Sequence, residues 1–161
     1  MLQKALNASL VLIKRPLFPA QYEASSKRYS VTLGVGGNIG DLTRRLERLS
    51  HFLRRSRQCD LIQTGPILKN PPFGYLEQDD FYNTVILVKT NLRAKAFLKY
   101  VLEVERKFGR KRSFANAPRT LDIDMIFYED TKMDTTTLTL PHPHWQERES
   151  VIIPMAYMER R

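Results

Sequence analysis

Phe81–Thr90 reads FYNTVILVKT, and its alternation decides the fold. Successive side chains of a strand point to opposite sides, so Phe81, Asn83, Val85, Leu87 and Lys89 share one face. Toward the C-terminus, Leu92–Phe108 has helical spacing and stops at Gly109. Leu121–Tyr128 follows as another strand. Lys132–Leu140 reads as the second arm of a hairpin with it or as a small ribbon, and Ser150–Met158 as a short closing helix or coil. Toward the N-terminus, Leu61–Leu68 is a strand that runs into a Pro-Pro-Phe-Gly loop. Asp41–Arg55 carries leucines at 42, 46, 49 and 53 with arginines between them, a helix with Asp41 as its N-cap. Tyr29–Gly34 is a short strand ending in glycines. The resulting order, β-α-β-β-α-β, predicts an α+β, ferredoxin-like fold. Its antiparallel sheet carries helices on one face, with a small C-terminal ribbon or helix added.

Composition sets the outer bounds. A chain of 161 residues suits one core, and 42% apolar with 27% charged residues is ordinary for a globular protein. No apolar run approaches the roughly 18–20 residues that cross a bilayer. The single cysteine, Cys59, excludes an internal disulfide and suits the cytoplasm. Residues 29–161 read as one domain and 1–28 as an N-terminal extension. The extension is basic, with Glu23 its only acid, but it lacks the arginine-rich amphipathic pattern of a targeting peptide. An added strand or surface arm near Ser9–Lys14 is the expectation. A net charge of +9, from 26 basic and 17 acidic residues, calls for an anionic partner.

The charge is concentrated where chemistry can use it. Asp122 and Asp124 are one residue apart on a strand, so both carboxylates face one way, roughly 6.5–7 Å apart at Cα. Leu121, Ile123 and Met125 take the other face. Two converging carboxylates repel unless a cation lies between them or one holds a proton. Magnesium with phosphate oxygens resolves this. Between Glu105 and Asp122 there is no acid, but there are Arg106, Lys107, Arg110, Lys111, Arg112 and Arg119. Arginines on a loop can converge on phosphate oxygens, and Ser113–Ala117 reads as a lid over them.

Other motifs are weaker. Gly34–Gly40 (GVGGNIG) suggests a dinucleotide fingerprint, but its last glycine is one residue late and no Gly-Lys-Ser/Thr follows. A tight strand-to-helix turn accounts for it. Pro141–His144 (PHPH) would need further ligands to hold zinc, and His51 and Cys59 supply no set. An RNA-binding module would suit the sheet and the charge, yet only Phe81 and Tyr82 offer stacking and the signature string is missing. Paired carboxylates behind a basic patch also disfavour nucleic acid. The expected partners are therefore nucleotide and small molecule, with no nucleic acid and no membrane.

Four segments occur in order: Leu33–Asp41 (LGVGGNIGD), Asn70–Asn83 (NPPFGYLEQDDFYN), Glu105–Asp124 (ERKFGRKRSFANAPRTLDID) and Leu138–Arg148 (LTLPHPHWQER). Over roughly residues 29–158 the chain resembles the 6-hydroxymethyl-7,8-dihydropterin pyrophosphokinases of folate biosynthesis. The resemblance implies transfer of diphosphate from ATP to the pterin hydroxymethyl group, with release of AMP, by a monomer. It implies that Asp122 and Asp124 bind two magnesium ions and that Arg110 and Arg119 are catalytic. ATP would meet Leu98, Glu105, Arg112, Met125, Leu138, Thr139, His142 and Arg148. The pterin would meet Asn70, Pro71, Phe73, Phe81 and Asn83. The chain departs from the family pattern twice. Asn116-Ala117 stand where a tryptophan shortly precedes Pro-Arg-Thr-Leu, and Ser150 stands where a second pterin-stacking aromatic is usual. Trp145 is a candidate substitute for the latter.

Overall fold

The computed structural model describes residues 2–72, 74–110 and 116–159. The strands are β1 (Leu2–Ala5), β2 (Val11–Lys14), β3 (Ala20–Gln21), β4 (Tyr29–Gly37), β5 (Cys59–Thr64), β6 (Ile67–Asn70), β7 (Phe81–Thr90), β8 (Asp122–Tyr128), β9 (Met133–Asp134) and β10 (Thr139–Leu140). The helices are α1 (Leu42–Arg55), α2 (Ala94–Lys107) and α3 (Glu149–Ala156). The core follows the expected β-α-β-β-α-β order. β7 lies at its centre, with β4 and then β8 on one flank and β5 and β6 on the other, all antiparallel. β9 and β10 pair with each other as the small ribbon.

α1 forms where its leucines recur at helical spacing. Leu42, Leu46, Leu49 and Leu53 are buried, and Asp41 caps the start by accepting the Arg44 N–H at 3.2 Å. α2 buries Phe97, Val101 and Val104 against the same sheet face. That face presents Val31, Leu33 and Val35 of β4, Ile86 and Val88 of β7, and Ile123 and Met125 of β8.

The structure differs from the sequence expectation in three places. First, Leu61–Leu68 is two strands. Pro66 has no N–H to give a ladder, so pairing breaks at Gly65-Pro66. β5 then covers the C-terminal half of β7 and β6 the N-terminal end. Second, the helices do not all lie on one face. α3 sets Val151 against Val85 and Ile126, on the side of the sheet away from α1 and α2. Third, the glycines are not confined to a turn. Gly34, Gly36 and Gly37 lie inside β4, and the turn begins only at Asn38, with Gly40 at φ +79°.

The N-terminal residues join the same sheet. β1 and β2 form a hairpin that docks on β6 in the register Val11↔Lys69, Leu12↔Leu68, Ile13↔Ile67. β3 pairs with β5. Leu10, Leu12, Ile13 and Phe18 are buried, which fits an added strand better than a free arm. No helix among the described residues is long and apolar enough to cross a membrane.

Candidate active site

Side-chain alternation on three neighbouring strands builds the site. The register pairs Gly36 with both Asp122 and Asn83, and Gly34 with both Asp124 and Val85, so these residues share the face away from α1 and α2. The two glycines make a floor without side chains. An added Cβ at Gly36 would lie 2.0 Å from Asn83 Oδ1, so the Asn83 amide rests directly on that floor. Above it opens a cavity of about 850 Å³. Asp122, Asp124, Arg110, Arg119, His142 and Arg148 line one part of it, and Asn70, Pro71, Phe81 and Asn83 another.

The charges interlock. Asp122 receives Arg110 Nη1 on Oδ1 and Arg119 Nη1 on Oδ2, the latter at 3.0 Å. Arg148 Nη1 stands 3.8 Å from Asp124 Oδ2. Burial would raise the pKa of Asp122, but the charges and hydrogen bonds of the two arginines outweigh it and hold the group below the ordinary carboxylate value. Asp124 goes the other way. Burial and then the Asp122 charge push its pKa up to about 7, against the opposing pull of Arg148. Burial, then Arg148 and His144, lowers the pKa of His142.

Glu105 works from behind. It is 2% exposed, and its Oε2 accepts the Ile123 N–H at 2.7 Å and Arg110 Nη1 at 3.3 Å. It thus ties the start of β8 to the arginine instead of lining the cavity. Asn38 does the same for Arg119. Its Oδ1 accepts the Arg119 N–H at 3.0 Å, and its Nδ2 donates to Gln78 Oε1 at 2.8 Å and the Asp79 carbonyl at 2.9 Å. At the other end, Asn83 Nδ2 donates to Asn70 Oδ1 at 2.8 Å. The Arg119 guanidinium carbon sits 5.4 Å from the centroid of the Phe81 ring.

Several expected residues lie elsewhere. Met125 and Leu138 are buried in the main core, Leu98 packs against that core, and Thr139 bonds Asp134 across the ribbon. None of the four lines the cavity. Phe73 and Arg112 lie outside the described residues. Trp145 packs edge-on to Phe127, with centroids 4.9 Å apart, and is not part of the cavity wall. Sequence reasoning missed Asn38, Gly34 and Gly36 as parts of the site, and also Ser9 and Leu10, which line it. The pairing of Gly36 with Asp122 could have flagged the glycines, but only once the strand register was known.

Hard carboxylate oxygens on one face suit magnesium. Among the described residues no group of three or more His, Cys, Asp or Glu could hold a metal by protein ligands alone. Magnesium takes one or two carboxylates and completes its shell with substrate phosphates and water.

Comparison with known proteins gives the family. Residues 32–160 match the family model described as 7,8-dihydro-6-hydroxymethylpterin-pyrophosphokinase (HPPK). The 2-amino-4-hydroxy-6-hydroxymethyldihydropteridine pyrophosphokinase of Helicobacter pylori is 39% identical over 145 residues, 89% of this chain and 87% of that protein. The enzyme of the same name from Campylobacter jejuni is 40% identical over 130 residues, covering 81% and 83%. That from Aquifex aeolicus is 31% identical over 134 residues, covering 81% and 80%. The family match takes in the carboxylate pair, the arginines that face it and the asparagines at the far end of the cavity together, and the chain belongs to the 7,8-dihydro-6-hydroxymethylpterin-pyrophosphokinase family.

Proposed function

We infer that this protein transfers diphosphate from ATP to the hydroxymethyl group of 6-hydroxymethyl-7,8-dihydropterin, releasing AMP, in folate biosynthesis. One observation carries the reading. A single cavity holds a carboxylate pair ringed by arginines at one part and a phenylalanine with two mutually bonded asparagines at another. The first suits a metal-bound polyphosphate and the second a flat heterocycle with an edge of donors and acceptors.

In the reaction the acceptor hydroxyl oxygen bonds to the β-phosphorus and loses its proton. The bond from that phosphorus to the oxygen bridging toward the α-phosphate breaks, and AMP leaves with the electron pair. Such transfers need alignment and charge neutralisation more than covalent help. Asp122 and Asp124 would hold two magnesium ions, which would neutralise phosphate oxygens and lower the pKa of the acceptor hydroxyl. Arg110 and Arg119 balance the Asp122 charge, and they are placed to receive the charge that moves toward AMP. Arg148, beside Asp124, meets phosphate oxygens, and Arg112 is assigned the same role from the sequence. Glu105 and Asn38 fix the two catalytic arginines. Phe81 offers a ring face to the pterin, and Asn70 orients the Asn83 amide that reads its edge.

Incubation with ATP, magnesium and the hydroxymethyl pterin should yield AMP by chromatography. No AMP, or ADP in its place, would overturn the assignment.

The pKa of Asp124 gives a second expectation. Below about pH 7 this carboxyl holds a proton that a metal must displace. Magnesium affinity, followed by calorimetry with an ATP analogue, should fall by about tenfold per pH unit below 7 and level off above 8. The metal-free fold should lose stability as pH rises from 4 through 7, because the native state retains a proton that the unfolded chain has released. Magnesium and nucleotide should remove that loss. An affinity flat from pH 6 to 8 would take Asp124 out of the metal site.

A further inference from the structure

We propose that the N-terminal hairpin is part of the acceptor site, with Leu10 and Ser9 as positioning residues that set the affinity for the pterin. The hairpin lies outside the stretch that matches the family model, which begins at residue 32. Its turn is nonetheless built to a definite shape. Asn7 Oδ1 accepts the backbone N–H of Ser9 at 2.9 Å and of Leu10 at 2.8 Å, and the Leu6 N–H donates to the Leu10 carbonyl at 2.8 Å. The β2–β6 register, carried one residue past Val11↔Lys69, sets Leu10 beside Asn70. Asn70 is the residue that holds the Asn83 amide.

The turn reaches the cavity. Ser9 and Leu10 line it together with Asn70, Pro71 and Pro72. Leu10 is 5% exposed and packs in a small cluster with Leu12 and Leu68, to which Leu6 and Ile153 add. Ile153 belongs to α3, the helix that also brings Ser150 to the cavity. So Leu10 bridges the hairpin, the Asn70 strand and the helix on which the serine stands in place of a second aromatic. Trp145 packs against Phe127 and is not among the described residues that line this end. Leu10 backs this wall from outside the family's segment, holding the turn against the Asn70 strand and α3. A flat, largely apolar ring gains from each square ångström it takes out of water, so this wall acts on pterin binding and not on the phosphates.

The inference rests on the transfer reading above, and one set of assays separates the two. Wild-type protein is first tested for AMP formation, then Leu10→Ala and Ser9→Trp are compared with it. Leu10→Ala should raise KM for the pterin about tenfold, with KM for ATP and kcat within about twofold. Ser9→Trp replaces an exposed turn residue with bulk directed at the same end. It should also raise the pterin KM while melting at the wild-type temperature. A merely structural hairpin would lower the melting temperature and kcat and leave both KM values unmoved. If wild type forms AMP and neither variant shifts the pterin KM by more than about twofold, the hairpin proposal fails and the transfer reading stands. If wild type forms no AMP, both fall. If Leu10→Ala does not fold, Ser9→Trp decides alone.

Discussion

Asp124→Ala should lower kcat for AMP formation by about a thousandfold or more while leaving the protein folded. The carboxylate is half of the pair that β8 presents to the cavity, and its partner cannot serve alone. Both oxygens of Asp122 already face arginines. Removing Asp124 also relieves the burial of a charge and its repulsion by Asp122, which together raise its pKa, so without metal at pH 8 the variant should melt no lower than wild type. Asp122→Ala should be equally inactive but less stable, because it strips Arg110 and Arg119 of a shared partner in a partly buried place. Turnover by steady-state AMP release and melting by circular dichroism check both halves. Retained activity in both variants would remove the metal assignment.

Gly36→Ala should be the most damaging single-methyl addition in the sheet. Its Cβ would sit 2.0 Å from Asn83 Oδ1 and 2.5 Å from the Tyr82 carbonyl oxygen. The asparagine could swing aside only by leaving Asn70, and the carbonyl belongs to the paired backbone of β7. A loss of about 2–3 kcal/mol by urea denaturation is expected, together with weakened pterin binding. Gly34→Ala is the control. There the nearest atom to an added Cβ is Ile126 Cδ1 at 3.4 Å, ordinary contact, so stability should change by less than about 1 kcal/mol. Equal effects at the two positions would disprove the floor argument.

Strong periodicity made much of this legible in advance. The leucines of α1 and the alternation of β7 stood out because burial imposes a repeat on the residues that meet the core. The same alternation put Asp122 and Asp124 on one face. What stayed hidden depended on partners distant in sequence. Pro66 sits in a run apolar enough to read as one strand, and only pairing on β7 shows the break. α3 has just Val151 and Pro154 buried, too few to announce which face it covers. Asn38 is an unremarkable turn residue until Arg119 is brought beside it across 81 positions. β1 is exposed throughout, so its pattern gives no sign of the hairpin it builds. The stretch Ser113–Ala117, read as a lid, also holds an aromatic, Phe114, which lies outside the described residues.

The central position of β7 also limits how this chain can change in length. It is paired along both flanks, so a residue lost from its first half cannot be absorbed by a neighbour. The shift would turn Asn83 from the cavity into the core and bring Thr84 out in its place. A change of length should be tolerated better in a connection that leaves this strand's register intact, such as the turn after Tyr128. The place of Asn83 on the cavity floor is guarded by a spacing as much as by a residue identity.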